Sequence, residues 1–389
     1  MILNGEHLKF YNNAEHVGIV RSVVGNLPSI LARIAAHKSA LSAVLHTGAA
    51  RHHRGNPAAS LRLERVYGIP VLLSGMGSLV LNKAELTTIS IHQQKTVQRL
   101  LRLLPNTPCA VLYFLSGCLP GEALIHLKQL SILAMITCLA GTPLHTHAIE
   151  VYSTGASPNS WFHQVRNLCL QYQLPHPLTL LTPPTPLSKD AFKRLAKKQI
   201  VSYWGDKLRH EASLLPSLRF FKPHFMSITS PHPLFLSAGS SAYEVTKAGV
   251  QALFLSGRYR TEKLCRFWSA NPNGYCLLPD CNGLCIVEDE EHILLYCQSL
   301  SATRKKLTEF TINYAKSNPI ISETILTLSN PNHPQYFQYL IDCSVLPSVI
   351  SLTQFYGRDI LHQLFKVTRT WCYSLHRDRL RLLGRWRKF

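Results

Sequence analysis

Residues 274–297 read GYCLLPDCNGLCIVEDEEHILLYC, and this stretch holds five potential metal ligands: Cys276, Cys281, Cys285, His292 and Cys297. Structural zinc takes four thiolate or imidazole ligands in a tetrahedron, usually two from a tight loop and two from or near a helix. The spacing Cys276-x4-Cys281-x10-His292-x4-Cys297 supplies such a set. It predicts a small CCHC zinc-binding module over residues 271–300. The Zn²⁺ would be structural, because four protein ligands leave no open position.

The residues between these ligands favour the same interpretation. The segment PDCNG (279–283) consists largely of turn formers, which shape a loop around the first cysteine pair. The acidic run Glu288–Glu291 suits the first turn of a helix, where the helix dipole favours negative charge. The five-residue step from His292 to Cys297 suits a helix that loosens in its last turn.

Two alternatives to this ligand set remain open. Cys285 could replace Cys281 as a ligand, although Pro279 turns the chain just before Cys281 and favours the latter. Alternatively, the cysteines and the histidine are ordinary buried side chains of a small satellite core.

Composition indicates a large, basic, globular chain. With 389 residues, the chain exceeds the size of one compact core, and two or three domains are expected. Hydrophobic residues make up 46% and charged residues 16%, as in a folded protein. The formal net charge is +20 and the isoelectric point about 9.6. Because the positive charge is clustered, it favours an RNA or DNA backbone as partner over the alternative of a basic surface kept for solubility.

Basic residues concentrate in four segments. The first choice for nucleic-acid contact is SGRYRTEKLCRFW (256–268), which interleaves aromatic residues with the cations Arg258, Arg260, Lys263 and Arg266. Segment 366–389 adds a stripe at helical spacing, formed by Arg377, Arg381, Arg385 and Lys388. Such cations pair with phosphates, and Trp371, Tyr373 or Trp386 could stack on bases or pack inward. For this segment a solvated face on a docked terminal helix is the alternative. Segments 188–209 and 50–57 are the remaining patches.

Signals for secretion, membrane insertion and catalysis are missing from the sequence. The N-terminus lacks a basic start followed by an apolar run, and no run of about 18 uninterrupted apolar residues occurs. We therefore expect an intracellular protein of the nucleus or cytoplasm, with no membrane partner and with free thiols rather than disulfides. The motifs GxxxxGK[ST], GxSxG and HExxH do not occur. The sequence thus predicts neither catalysis by this chain nor a small-molecule substrate.

Hydrophobic periodicity predicts a mainly α-helical fold with a short N-terminal β segment. Helices are expected at 28–47, 83–140 (with breaks at 104–109 and 118–122), 160–173, 189–207, 243–268, 303–316 and 359–388. The proline-rich stretch 174–188 is expected to be a surface linker in polyproline conformation. Residues 1–24 alternate polar and apolar residues as a hairpin does.

The order of these features resembles the region that follows the palm in reverse transcriptases of non-LTR (LINE-like) retrotransposons. EHVGI (15–19) resembles the "HLG" segment that closes the palm, LSGRYRT…RFW resembles the basic-aromatic stretch that precedes the Cys/His cluster, and the CCHC set resembles that cluster. The resemblance covers most of the chain. It implies the end of the palm at 1–24, thumb-like helices at 25–105, a helical connector at 106–270, the zinc module at 271–300 and a basic helical region at 301–389.

The catalytic part of that family has no match here. The [FY]xDD motif, whose aspartates bind the catalytic magnesium ions, does not occur in the sequence, and no catalytic residue is carried over. The resemblance implies a truncated reverse-transcriptase polypeptide that retains its RNA- or DNA-binding surface. One alternative is a host-recruited scaffold protein that binds a partner through apolar helices at 124–140 and 345–365. The other is the C-terminal half of an active RNA-directed DNA polymerase from an incomplete gene model.

Overall fold

The computed structural model describes residues 2–3, 6–7, 13–16, 19–22, 25–44, 55–182, 187–268 and 270–384. This part of the chain is mainly helical, which confirms the predicted fold class at that level. In chain order the helices are α1 (Leu27–Val44), α2 (Pro57–Leu63), α3 (Ile69–Leu72), α4 (Lys83–Leu101), α5 (Cys109–Ser116), α6 (Gly121–Ile136), α7 (Pro143–Thr154), α8 (Trp161–Gln171), α9 (Pro177–Leu181), α10 (Lys189–Ser213), α11 (Pro233–Leu236), α12 (Ala242–Leu255), α13 (Glu262–Cys265), α14 (Ser301–Lys316), α15 (Pro319–Leu328), α16 (Tyr336–Ile341), α17 (Pro347–Tyr356) and α18 (Asp359–Leu382).

Extended structure in the described residues is confined to short antiparallel pairs near the N-terminus and one isolated bridge. Strand β1 (Ile2–Leu3) pairs with β2 (Glu6–His7). Strand β3 (Asn13–His16) pairs with β4 (Ile19–Ser22). The bridge joins Tyr275 to Val287 and belongs to the Cys/His segment.

The chain divides into two compact units, each assembled from separated segments. Unit 1 comprises Met1–Arg51, Leu61–Thr96 and Leu119–Lys207, and unit 2 comprises His52–Ser60, Val97–Cys118 and Leu208–Phe389. The five consecutive regions that the sequence and its resemblance imply stay a prediction. Residues 271–300 lie within unit 2.

Apolar faces of several helices form the core of unit 1. Its buried cluster contains Ile30, Ile34, Leu72, Leu73, Met76, Leu79, Leu81, Ile89 and Ile125. Helix α4 begins with a reciprocal cap, in which the Glu85 amide donates to Asn82 Oδ1 at 3.0 Å and the Asn82 amide donates to Glu85 Oε2 at 2.9 Å. In the apolar stretch 124–140, Ile125, Leu130, Leu133 and Ala134 of α6 are buried in this unit, whereas residues 138–140 are exposed.

Helix α18 forms the centre of unit 2, because its apolar residues recur every three or four positions and bury one long face. It packs against α12, α14, α16 and α17. Trp371 is buried on this face and its indole N–H donates to Thr311 Oγ1 of α14 at 2.9 Å. Trp371 is therefore a core residue and does not offer a surface for base stacking.

Two local expectations from the sequence are wrong. The helix expected over 243–268 ends at Leu255, because Gly257 takes a left-handed conformation (φ +61°) against Ser217, where a Cβ would lie 2.2 Å from the Ser217 carbonyl oxygen. The expected polyproline linker contains α9, which buries Leu180 and Leu181. Residues 183–186 of that stretch lie outside the described residues.

No single helix in the described ranges combines the length and the apolar composition that crossing a membrane requires.

Candidate metal centre

Four of the five predicted ligands converge on one point in unit 2. The potential ligand atoms of Cys276, Cys281, His292 and Cys297 all lie within 4.8 Å of one another, and all four residues are buried. The sulfur atoms of Cys281 and Cys297 are 3.6 Å apart, close to the edge of about 3.8 Å that a tetrahedron with Zn–S bonds of about 2.3 Å has. These four residues could hold a metal ion.

Backbone hydrogen bonds shape the loop that carries the first two cysteines. The Cys276 amide donates to the Ile286 carbonyl at 2.8 Å, and the Glu288 amide donates to the Gly274 carbonyl at 2.9 Å, so the ends of the loop are held side by side. At the loop tip, the Cys281 amide donates to the Leu278 carbonyl at 2.9 Å. Gly274 has φ +67°, and a Cβ there would lie 2.8 Å from the Lys263 Cα, so only glycine fits.

The other two ligands lie on a loosened helical turn. Residues His292–Tyr296 form a π-helical turn, closed by a hydrogen bond from the Cys297 amide to the His292 carbonyl at 2.7 Å. A π turn joins residues five apart, so it places His292 and Cys297 on the same side of the chain. The predicted loosening is confirmed. The helix itself is shorter than expected, because Glu288 precedes it in the extended bridge region and only Glu290 and Glu291 extend the turn.

The side-chain environment fits a cation. The imidazole Nε2 of His292 is buried with no hydrogen-bond partner among the described residues, although such atoms are nearly always paired. The hydrogen bond with Cys297 and burial raise the pKa of the Cys276 thiol. A coordinated divalent ion has the opposite effect, because it binds and stabilises the thiolate.

Cys285 is not part of this cluster. It is exposed and follows the loop tip, whereas Cys281 is buried beside Cys297. The choice of Cys281 over Cys285 is thus the one that the geometry supports. None of the eleven cysteines is paired in a disulfide.

A buried ion cluster joins the loop that carries Cys276 and Cys281 (the metal-ligand loop) to α18. Arg379 donates through Nε to Glu288 Oε2 at 3.2 Å and through Nη2 to Glu288 Oε1, and the same Nη2 lies 3.9 Å from Glu262 Oε1. The same Oε2 of Glu288 lies 3.7 Å from Cys276 Sγ and so also contacts the Cys/His cluster. Burial lowers the pKa of Arg379, but Tyr259 and the two carboxylates outweigh it, and the net pKa is raised.

The sequence alone did not indicate that Glu288 and Arg379 support the site. The acidic run predicts only a helix cap for Glu288, and Arg379 lies between Arg377 and Arg381 of the predicted stripe. The available signal was helical register: Arg379 follows Leu375 by four residues, and Leu375 is fully buried.

The basic residues before the loop form an exposed surface with neighbouring aromatic rings. Arg260 and Arg266 are exposed and the Lys263 side chain is 46% exposed. Phe267 and Trp268 are 77% and 70% exposed, which is unusual for such large rings. We call Arg260, Lys263, Arg266, Phe267 and Trp268 the basic-aromatic surface. Arg258, the remaining predicted contact in this segment, is half-buried.

The predicted C-terminal stripe is only partly described. Arg377 and Arg381 have side chains 48% and 71% exposed, and Asp378 lies 3.4 and 4.0 Å from them. Arg385 and Lys388 lie outside the described residues, as do residues 50–54 of the patch at 50–57. In the patch at 188–209, Arg194, Lys197 and Lys198 are exposed on α10 of unit 1.

The chain matches no protein-family model, and no curated protein and no solved structure is similar to it.

Proposed function

We propose that this chain is a nucleic-acid-binding polypeptide whose contact surface is held in place by a structural zinc ion. The observation that carries the proposal is the convergence of Cys276, Cys281, His292 and Cys297 beside the exposed basic-aromatic surface. Three thiols and one imidazole form a soft donor set that suits Zn²⁺, and a closed set of four protein ligands suits a structural role.

Direct hydrogen bonds link the site to that surface. The Lys263 amide donates to the Glu288 carbonyl at 3.1 Å, and the Glu262 amide donates to Glu288 Oε1 at 2.8 Å. Glu288 in turn follows the loop that carries two of the ligands. A metal ion at the site therefore fixes the backbone from which Lys263 and Arg266 project.

The chemistry of the surface suits a single-stranded nucleic acid. Lysine and arginine neutralise phosphates without reading sequence, and exposed aromatic rings stack on bases. The net charge of +20 favours polyanions over other partners. In this proposal the chain corresponds to the region after the palm of non-LTR reverse transcriptases, with the Cys/His segment holding RNA or DNA. It has no catalytic role of its own in the proposal.

A salt titration tests nucleic-acid binding. We expect zinc-loaded protein to bind a fluorescent single-stranded oligonucleotide with an affinity that falls steeply as salt rises, because binding releases counterions. The variant Lys263→Gln/Arg266→Gln should reduce the slope of log K against log salt by about 2, roughly one for each lost phosphate contact.

The control is Lys305→Gln/Lys306→Gln, which removes the same charge from exposed positions of α14. An equal effect of both double variants would show that only net charge matters. No binding even at low salt would reject the proposal and favour a protein-binding scaffold.

A further inference from the structure

A cleft of about 400 Å³ opens in unit 2 beside the basic-aromatic surface. Its walls include cations, aromatic rings and one carboxylate: Arg219, Phe220, Lys263, Arg266, Phe267 and Glu290. Only Lys263, Arg266 and Phe267 belong to the surface described above. Pockets of this size accommodate small organic ligands, and one nucleotide is within that range.

The cations of the cleft are arranged against its rings. The guanidinium carbon of Arg219 lies 4.4 Å from the centroid of the Phe220 ring, and that of Arg266 lies 4.7 Å from the centroid of Phe267. In each pair the guanidinium lies over one face of the ring, and the Phe267 ring, which is 77% exposed, keeps area on which an unstacked base can lie. The cleft therefore offers stacking and phosphate pairing at the same place.

Glu290 is the residue that distinguishes this cleft from a plain cationic groove. Asp289 lies within 3.6 Å of Arg219 and 3.4 Å of Lys263, and Glu291 within 3.7 Å of Arg219, so these two acids are engaged. For Glu290, no ion pair and no hydrogen bond with another side chain is found among residues 25–44, 55–182, 187–268 and 270–384, and its carboxylate accepts from its own backbone amide. A carboxylate has two oxygens and about four acceptor positions, so others remain for a ligand.

A carboxylate recognises a base through the hydrogen-bond donors on the Watson–Crick edge of that base. Guanine presents two adjacent donors, N1–H and the exocyclic amine, which match the two oxygens of a carboxylate. Adenine, cytosine and uracil each place an acceptor next to their single donor group, and that acceptor repels a carboxylate oxygen. In single strands this edge is free for recognition.

We propose that the cleft binds one unstacked guanine of a single-stranded nucleic acid, with Glu290 accepting from the guanine N1–H and amine. Phe267 stacks on the base, and Arg266 pairs with a flanking phosphate. The proposal rests on the nucleic-acid binding proposed above and adds base preference to it.

The test compares fluorescent 12-residue oligouridines that carry guanine, adenine, cytosine or inosine at one central position. By fluorescence anisotropy at low salt, we expect the zinc-loaded protein to bind the guanine oligonucleotide about tenfold more tightly than the adenine one, as for a bidentate base contact. Inosine lacks the exocyclic amine and should lose most of this preference. That comparison requires no protein variant, so it remains decisive even if a substitution unfolds the chain.

Glu290→Gln should bind guanine and adenine oligonucleotides equally and leave the affinity for plain oligouridine within about twofold, because a carboxamide presents a donor to a guanine donor. The matched control is Glu291→Gln, which removes the neighbouring charge and should keep the guanine preference. Tight binding of all oligonucleotides without preference would overturn the guanine subsite alone. Failure to bind any of them would overturn the proposed function as well.

Discussion

Glu288 connects three parts of unit 2 at the scale of a single residue. It accepts hydrogen bonds from the Glu262 amide and the Arg379 guanidinium, and it lies beside Cys276. Both Glu288 and Arg379 are nearly inaccessible to solvent, with 0% and 3% side-chain exposure. A charge at such depth is stable only while its partner is present, so the pair fixes the end of α18 against the metal-ligand loop.

Replacing Glu288 with glutamine should therefore lower the free energy of unfolding by about 3 kcal/mol, since Arg379 stays buried with only the more distant Glu262 as counter-ion. Urea unfolding followed by circular dichroism measures this change. Glu291→Gln, at a half-exposed position with a long contact to Arg219, should change stability by less than about 1 kcal/mol. Equal, small effects of both substitutions would contradict a stabilising role for the buried pair.

The two loop cysteines give opposite expectations for metal content. Cys281→Ser should abolish stoichiometric zinc in purified protein, because Cys281 lies within the converging cluster, whereas Cys285→Ser should retain one zinc per chain because Cys285 is exposed. Elemental analysis by mass spectrometry provides the measurement. Retention of zinc by Cys281→Ser and its loss from Cys285→Ser would exchange the roles of the two residues.

The sequence contained enough information to choose the four residues that converge on one point but not the residues that support them. Ligand type, ligand number and the position of Pro279 are local properties, and they favoured Cys281, which lies in that cluster. Glu288 and Arg379 are 91 positions apart, and no local pattern pairs them. Arg379 differs from its exposed neighbours Arg377 and Arg381 only in its position around the helix. That position determines burial once α18 packs against the neighbouring helices.

At the scale of elements, a polar chain is buried in unit 1 around α6. The Trp204 indole N–H donates to Tyr172 Oη at 3.1 Å, and the Tyr172 hydroxyl lies 2.7 Å from His126 Nδ1. The hydroxyl can donate to Nδ1 only while that nitrogen is unprotonated. Burial, with a smaller contribution from Lys207, lowers the pKa of His126 from 6.5 to about 4.

This network should make unit 1 sensitive to acid. The unfolded state binds a proton to His126 near pH 6.5 and the folded state only near pH 4, so the contribution of the neutral histidine is complete above pH 6.5 and is lost as pH falls between these values. At pH 5 the loss amounts to about 2 kcal/mol. His126→Asn keeps an acceptor near the position of Nδ1 but does not titrate in this range. Between pH 7 and pH 5 its free energy of unfolding should therefore fall by about 2 kcal/mol less than that of the wild type.

Urea unfolding at the two pH values measures this difference, and comparison with the wild type cancels contributions from the other histidines and the thiols. His147→Asn is the control, because the His147 side chain is 60% exposed. The same pH dependence in His126→Asn and the wild type would contradict the buried, neutral state of His126.

Helix positions were largely predictable because they depend on local chemistry. The breaks expected at 104–109 and 118–122 separate α4, α5 and α6, and α14 and α18 begin within about two residues of their expected starts. The failures came from packing. Helix α9 forms in a proline-rich stretch because His176 Nδ1 accepts from the Leu178 amide and two leucines find a core, and neither contact is visible in a polar-apolar pattern.

At the scale of the whole molecule, the two units are built from alternating segments of chain. Unit 2 takes Val97–Cys118 from between two segments of unit 1. Composition and Gly/Pro breaks are local features, so the sequence alone predicts consecutive regions. The units are instead defined by contacts between distant segments. Within unit 2, the Cys/His segment packs with α18.

Because that segment is part of unit 2, removal of the metal should have effects beyond residues 271–300. Chelation should increase amide hydrogen exchange across residues 274–297 and also at residues 375–382 of α18, since Glu288 no longer holds Arg379 in place. Helices α1 and α6 should keep their protection, because their core residues belong to unit 1. Hydrogen–deuterium exchange with mass spectrometry resolves these peptides, and added Zn²⁺ should restore protection.

Unchanged exchange at 274–297 in protein proven free of metal would show that the fold of this segment does not depend on the ion. Increased exchange at 274–297 with unchanged exchange in α18 would show that the ion cluster does not transmit the loss of the metal to α18.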